Sequence, residues 1–392
     1  VFVGDAGRLP ADAAAAYREF AAAGGTTVAA PPSRRPALVI DGLFGIGLAR
    51  PAAPPYAALV NWANGARAPI LALDIPTGVD ADTGQVREPA IRASATATFI
   101  AHKPGLLTGP GIDHAGVVTV HTLDVDVETD GPAEGHALAW ALLAARLPDV
   151  LLRRGRDVHK GTFGTLAVIG GDSGLVGAPL LASRAAVKCG AGKVRVGFVA
   201  DAFPPVDLAC PETMLATAGI VLSREADALV VGCGLGTGEH AKAALQQALA
   251  SPSPIVVDAD GLNLIASDRA LQEAARQREG ATLATPHPAE AARLLATGIA
   301  RVQQDRLAAA GAIARMLNAH VVLKGAGSVL AHPDGTFAIN TSGSAALATG
   351  GTGDVLAGVL GALVAQRVPA NEALRVGVCL HGAAADELVG RG

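Results

Sequence analysis

Short runs of β-branched and aliphatic residues alternate with Ala-rich stretches of helical length throughout the chain. Strands are predicted at residues 37–40, 70–73, 98–101 and 117–120, then at 166–169, 194–199, 228–231, 255–257 and 321–323. Uninterrupted apolar runs of this length read as strands buried on both faces of a parallel sheet. An α/β fold follows. Ligands of such sheets sit beyond the carboxyl ends of the strands, and nearly every Gly- and Asp-rich motif of this chain falls at such an end.

The acidic stretch 124–130, followed by Gly131, Pro132 and a predicted helix at 136–147, marks a boundary. It divides the chain into domains of residues 1–130 and 131–392. The length of 392 residues agrees with two domains. Half the residues are hydrophobic and only 3% aromatic, so the core must be built from Ala, Val, Leu and Ile. The 48 glycines exceed an average share and point to loops where backbone approaches backbone or ligand. A net charge of −4 gives no basic surface for nucleic acid or an anionic membrane. The longest aliphatic stretch, residues 355–365, is well short of the roughly 20 residues that span a bilayer. Cys189, Cys210, Cys233 and Cys379 lie far apart without a C-x-x-C pair, which suits small apolar residues in a reducing compartment. The chain opens at Val1 without a signal sequence, and a cytoplasmic location is expected. An Ala-rich, apolar surface would suit a homo-oligomer.

The sharpest chemical signal is Ser342-Gly-Ser-Ala-Ala-Leu-Ala-Thr-Gly-Gly-Thr-Gly-Asp354, which runs into the apolar helix at 355–365. Gly350, Gly351 and Gly353 bare the backbone amides, and a helix starting at Asp354 adds free N–H groups and a positive dipole end. Asp354 reads either as the helix cap of a glycine turn or as a general base beside an anion hole. Lys324, Gly325, Ala326, Gly327 and Ser328 follow the strand at 321–323 and suit phosphate contact by charge and amides. Loops at 170–177 and 232–238 and the Asp258-Ala-Asp-Gly-Leu-Asn263 motif each follow a predicted strand. His287 is held between Pro286 and Pro288, a rigid setting for a ligand contact. In the first domain, Asp41 and Asp74 stand at two strand ends, each followed by glycines, with His102-Lys-Pro-Gly105 near a third.

G-G-T-G-D with K-G-A-G-S upstream resembles the ribokinase-like superfamily. Together with His159-Lys160-Gly-Thr-Phe-Gly164, A-D-G-L-N and T-P-H-P-A-E, it resembles the ADP- or ATP-dependent NAD(P)H-hydrate dehydratases over residues 151–386. The first domain resembles the NAD(P)H-hydrate epimerase fused to such dehydratases. The resemblance implies a Rossmann-like domain of the YjeF N-terminal type followed by a ribokinase-like α/β domain. The first would lack its opening strand and G-N-G-x-N-G-G-D loop, with residues 1–4 as the strand after it, and its activity would be impaired.

The implied function is repair of hydrated nicotinamide nucleotides. The hydroxyl at C6 of (6S)-NADHX or NADPHX is phosphorylated and phosphate is eliminated, with ADP or ATP as co-substrate, while the epimerase interconverts the R and S hydrates. The resemblance makes Asp354 the base and gives Lys324, Gly325, Ala326, Gly327, Ser328 and Gly353 to the adenine nucleotide. Ala178, Gly236, His287 and Asp354 would meet the hydrate, and Mg²⁺ the phosphate oxygens. In the epimerase, Gly45, Ile46, Gly47, Leu48, Ala49, Arg50 and Pro51 would cradle substrate phosphates. Asp74 would meet the hydrated ring as an acid/base, and Asp41 and Thr77 would bind K⁺. The competing reading is a ribokinase-like kinase of a vitamin-precursor alcohol, carrying a non-catalytic binding module.

Overall fold

The computed structural model describes residues 7, 9–48, 50–125, 135–145, 147, 151 and 155–390. The chain separates into two compact units. The first comprises Val1–Leu106 and Pro110–Asp130, the second Leu107–Gly109 and Gly131–Gly392.

The first unit carries a four-stranded sheet, all parallel, in the order β1 (Val39–Asp41), β2 (Ile70–Leu73), β3 (Ala95–Phe99) and β4 (Val117–His121). Val60 and Ala63 of the helix Tyr56–Gly65 pack on Ile70 and Ile91 as its buried cluster. The strand expected at 98–101 starts three residues and ends two residues earlier, at Ala95–Phe99. Thr96 and Thr98 are buried within it, and Ile100 turns out at φ +67°.

The second unit holds a ten-stranded sheet. In chain order its strands are β5 (Gly135–Leu138), β6 (Thr165–Gly170), β7 (Lys193–Phe198), β8 (Met214–Thr217), β9 (Ala228–Val231), β10 (Ile255–Val257), β11 (Thr282–Ala284), β12 (His320–Leu323), β13 (Val329–Ala331) and β14 (Phe337–Asn340). Across the sheet they run β5-β14-β13-β12-β11-β10-β9-β6-β7-β8, parallel except where β13 opposes β12 and β14. Alternate residues of each strand feed two cores. Ala167 and Ile169 join Leu245, Leu262 and Ile313 on one face, while Leu166 and Val168 join Leu360, Leu363 and Leu374 on the other. Helices cover both faces, which explains the continuous apolar runs in the sequence.

The helix expected at 136–147 is corrected. Residues 135–138 form β5 beside β14, and helix begins only at Trp140. Pairing with an exposed sheet edge outweighs local propensity here. Residues 1–4 and most of the acidic boundary lie outside the described residues. Among the described residues, no helix is long and apolar enough to cross a membrane.

Candidate active site

The chain leaves β6 toward β7 and β8 on one side, then returns to lay β9 on the other. This reversal opens a crevice beyond the carboxyl ends of β6 and β9. The loops that line it pack backbone to backbone. The Gly171 N–H donates to Cys233 O at 3.1 Å and the Asp172 N–H to Gly234 O at 2.7 Å. A Cβ on Gly170 would sit 2.1 Å from Cys233 O, so this contact requires glycine. Ala178 touches the same place, its Cβ 3.1 Å from where a Cβ on Gly234 would lie. Gly236 donates its N–H to Asp260 Oδ2 at 2.9 Å.

The helix after the G-G-T-G-D motif runs Thr352–Ala365, and its N-cap is Gly351 at φ +90°. Asp354 is therefore the third residue of the first turn, which corrects the expectation that the helix starts there. No side chain caps this helix. The Asp354 carboxylate is thus free of capping and sits in a buried polar cluster. Its oxygens, Cys233 Sγ and the Asp258 carboxylate each bring an atom within 4.8 Å of the others. Burial pushes the Asp354 carboxyl above its ordinary range, opposed by a hydrogen bond from the Cys233 thiol.

Lys324 lies at the centre of the cluster. Its Nζ donates to Asp258 Oδ1 at 2.8 Å, and Thr285 Oγ1 donates to the same oxygen at 2.6 Å. Burial works against the ammonium charge, but Asp258 and Glu290 together raise the Lys324 pKa. A Cβ on Gly353 would lie 3.2 Å from Lys324 Nζ and 3.6 Å from Asp258 Oδ2. The lysine thus stands directly against the first turn that carries Asp354, a fixed cation beside bare amides. Asp258, Thr285 and Cys233 escape sequence reasoning as site partners. Their signal was position, because each lies within two residues of the end of a strand that reaches the crevice.

His287 caps the helix Pro288–Leu294. Its Nδ1 accepts the N–H groups of Ala289 at 3.0 Å and Glu290 at 3.4 Å, so the ring proton resides on Nε2, which lies 3.1 Å from Glu290 Oε1. Both nitrogens are engaged, and the half-exposed ring has its face and carbon edge left for a ligand. Burial pushes the Glu290 carboxyl up to about 7. A folded-state pKa above the unfolded value means the native state holds the extra proton. Stability should therefore fall as pH rises from about 4.5 to about 7, by a few kcal/mol at most. Glu290→Gln should flatten that slope in pH-dependent thermal melts. An unchanged slope would show that Glu290 does not titrate there.

In the first unit, Asp41 and Thr77 meet at the ends of β1 and β2. Thr77 Oγ1 donates to Asp41 Oδ1 at 2.8 Å and the Thr77 N–H to Oδ2 at 2.8 Å. Burial raises the Asp41 pKa against these bonds. The loop that carries Gly45, Ile46, Gly47, Leu48, Arg50 and Pro51 is tied to the pair through the Phe44 N–H, which donates to Thr77 Oγ1 at 3.2 Å. Ala49 lies outside the described residues. Asp74, at φ +68°, accepts from Lys103 Nζ at 2.5 Å. Burial alone would raise its pKa, but Lys103 and the Phe99 N–H bring it below the ordinary value.

A doubly wound sheet whose crevice joins a glycine-rich helix start, a carboxylate and a half-buried lysine has the architecture of the ribokinase-like phosphoryl-transfer class. Comparison with known proteins sharpens this. The family profile of NAD(P)H-hydrate dehydratase matches residues 166–391, and that of the YjeF-related protein N-terminus matches residues 1–105. The bifunctional NAD(P)H-hydrate repair enzyme of Escherichia coli (strain K12) is 39% identical, over 98% of this chain and 74% of its own length. The ADP-dependent (S)-NAD(P)H-hydrate dehydratase of Neisseria meningitidis serogroup B is 50% identical, over 62% of this chain and 83% of its own. The crystal structure of the Bacillus subtilis ADP/ATP-dependent NAD(P)H-hydrate dehydratase, co-crystallised with ATP/Mg²⁺, superposes with a TM-score of 0.57 at 30% identity. It covers 65% of this chain and 90% of its own. The chain belongs to the family of bifunctional NAD(P)H-hydrate repair enzymes.

Proposed function

We propose that residues 131–392 convert (6S)-NADHX and (6S)-NADPHX to NADH and NADPH at the expense of ADP or ATP, and that residues 1–130 interconvert the R and S hydrates. The observation that carries this reading is Asp354, an uncapped, half-buried carboxylate in the first turn of a helix, beside Lys324 and Gly353. Hydroxide leaves a carbon poorly at neutral pH, whereas phosphate leaves well. Asp354 takes the proton of the C6 hydroxyl as its oxygen attacks the terminal phosphorus of the nucleotide. The bond to the departing nucleotide breaks, and the electron pair leaves with it. The amides at the start of Thr352–Ala365 and the Lys324 ammonium meet the charge that spreads over the transferring group. The lone pair of the ring nitrogen then expels phosphate from C6, and loss of the C5 proton closes the C5–C6 double bond.

Lys324 Nζ already occupies one Asp258 oxygen, and the buried thiol is a poor ligand for a hard ion, so the cluster does not form a Mg²⁺ cage by itself. The residues fit an ion held mainly by nucleotide phosphates, where it would neutralise their charge. In the first unit the Asp41 carboxylate, Thr77 Oγ1 and Phe44 O form an all-oxygen donor set around a desolvated charge. That chemistry suits K⁺. Asp74 and Lys103 supply a carboxylate and an ammonium for proton movement near C6 of the hydrate. Gly45, Ile46, Gly47, Leu48, Ala49, Arg50 and Pro51 are assigned to its phosphates. The dispersed free cysteines and the exposed apolar Leu208, Met214 and Ile220 support a cytoplasmic homo-oligomer acting on small molecules. Profile matches to both halves disfavour the vitamin-precursor kinase.

The test is recovery of the near-ultraviolet absorbance of reduced nicotinamide from a mixture of hydrate epimers, with Mg²⁺, K⁺ and ADP or ATP. Nucleotide-dependent recovery is expected, fast for the S epimer and slower for the R epimer, which the first domain, expected to be impaired, must convert. No recovery with either nucleotide would overturn the dehydratase assignment. Recovery that halts when the S epimer is exhausted would overturn the epimerase assignment.

A further inference from the structure

Arg306 opens the helix Arg306–Leu317 and is 1% exposed, the largest fully buried side chain among the described residues. Its guanidinium has no carboxylate within ion-pair distance among the described residues; every acceptor it meets is neutral. Nε donates to Thr108 Oγ1 at 3.0 Å and Nη1 to Gln303 Oε1 at 2.8 Å. Nη2 donates to Leu323 O at 3.2 Å and Lys324 O at 3.3 Å. Burying an arginine this way is costly, and burial lowers its pKa to about 10. The group must therefore hold something the fold needs.

What it holds is the underside of the loop 324–327. Thr108 is fully buried in the segment Leu107–Gly109, which belongs to the same compact unit. Its hydroxyl accepts from Arg306 and donates to Gly327 O at 2.8 Å, while the Gly109 N–H donates to Ala326 O at 3.2 Å. Ser328 Oγ donates to Gly325 O at 3.1 Å. All four carbonyls of residues 324–327 are thereby consumed. The amides of Gly325, Ala326 and Gly327 meet no acceptor among the described residues, and Gly325 and Ala326 are exposed.

The loop also lies too close to its brace for side chains. A Cβ on Gly325, at φ +142°, would fall 2.9 Å from Arg306 Nη2, and one on Gly327, at φ +59°, 1.8 Å from Leu107 O. Positive-φ glycines on either side of Ala326, with the Lys324, Ala326 and Gly327 carbonyls held by Arg306 and Thr108, leave the amides as an anion-binding concavity.

We propose that Arg306 and Thr108 are positioning residues for the adenine nucleotide: they fix the carbonyls of Lys324, Ala326 and Gly327 so that the loop amides are preorganised for its phosphates. This rests on the assignment of that loop to the nucleotide. Preorganisation of this kind lowers the cost of binding without touching the ligand.

The test uses the full chain, with calorimetric titration of ADP and ATP in Mg²⁺ and steady-state kinetics in both substrates. Thr108→Val should weaken ADP binding about tenfold, the scale of one lost hydrogen bond. It should raise the KM for nucleotide while the KM for hydrate and kcat stay within twofold, and Thr108→Ser should restore the parent values. Arg306→Lys, which keeps the charge but loses the planar fork, should weaken ADP at least as much. Should Arg306→Lys fail to fold, Thr108→Val and Thr108→Ser still decide. ADP affinity of Thr108→Val within twofold of the parent overturns the brace alone. A rise of both KM values together does the same, since it marks general loosening. A parent chain that binds neither ADP nor ATP overturns the loop assignment itself.

Discussion

Asp354→Asn is expected to lower the turnover of hydrate by roughly a thousandfold, within the range that a positioned general base contributes. The substitution keeps size and shape, and the side chain can still meet the Cys233 thiol. Because Gly351 and not Asp354 caps the helix, removal of the charge should not unravel the first turn. Nucleotide binding should persist or tighten slightly, since a negative charge next to bare amides and Lys324 competes with phosphate for the same field. Single-turnover kinetics separate the two effects, and the pH profile gives an independent signature. Burial raises the Asp354 pKa, so activity of the parent should fall on acidification at a midpoint above the ordinary carboxylate range. That acidic limb should vanish in Asp354→Asn. Activity within tenfold of the parent, with the limb intact, would place the base elsewhere.

The sheet was legible because its strands are buried on both faces and read as continuous apolar runs. Ala228–Val231 and Ile255–Val257 coincide with the runs predicted for them. The sequence was silent where pairing, not composition, makes a strand. Gly135–Leu138 is a strand only because β14 offers it an edge, and the hairpin of β13 and β14 carries no run longer than its neighbours. The glycine loops and Asp354 could be found by type and spacing. Their wiring could not, because Lys324, Asp258, Thr285 and Gly353 come from four separated segments that meet only after the sheet forms. His287 shows the same limit. Two prolines announce a rigid position, yet nothing in the sequence says that both ring nitrogens are taken by its own helix.

Lys324→Met should be the most damaging substitution for the fold and activity together. It deletes the cation next to Gly353 and leaves the Asp258 carboxylate, 2% exposed at its side chain, with Thr285 as its remaining side-chain partner. Breaking a buried ion pair from one side typically costs about 3–5 kcal/mol, because the survivor is an uncompensated charge. For a unit of this size that corresponds to a fall in melting temperature of roughly 10 °C. Turnover should fall about a hundredfold or more, since one fixed positive group facing the transferring phosphoryl is gone. Two contributions are mixed here, and a second change separates them. Adding Asp258→Asn to Lys324→Met removes the stranded charge and should recover most of the lost melting temperature. Turnover should stay low, because the cation is still missing. If the double variant regained activity along with stability, Lys324 would be a partner for Asp258 and nothing more. If Lys324→Met melted like the parent, the ion pair at the centre of the site would have to be abandoned as a source of stability.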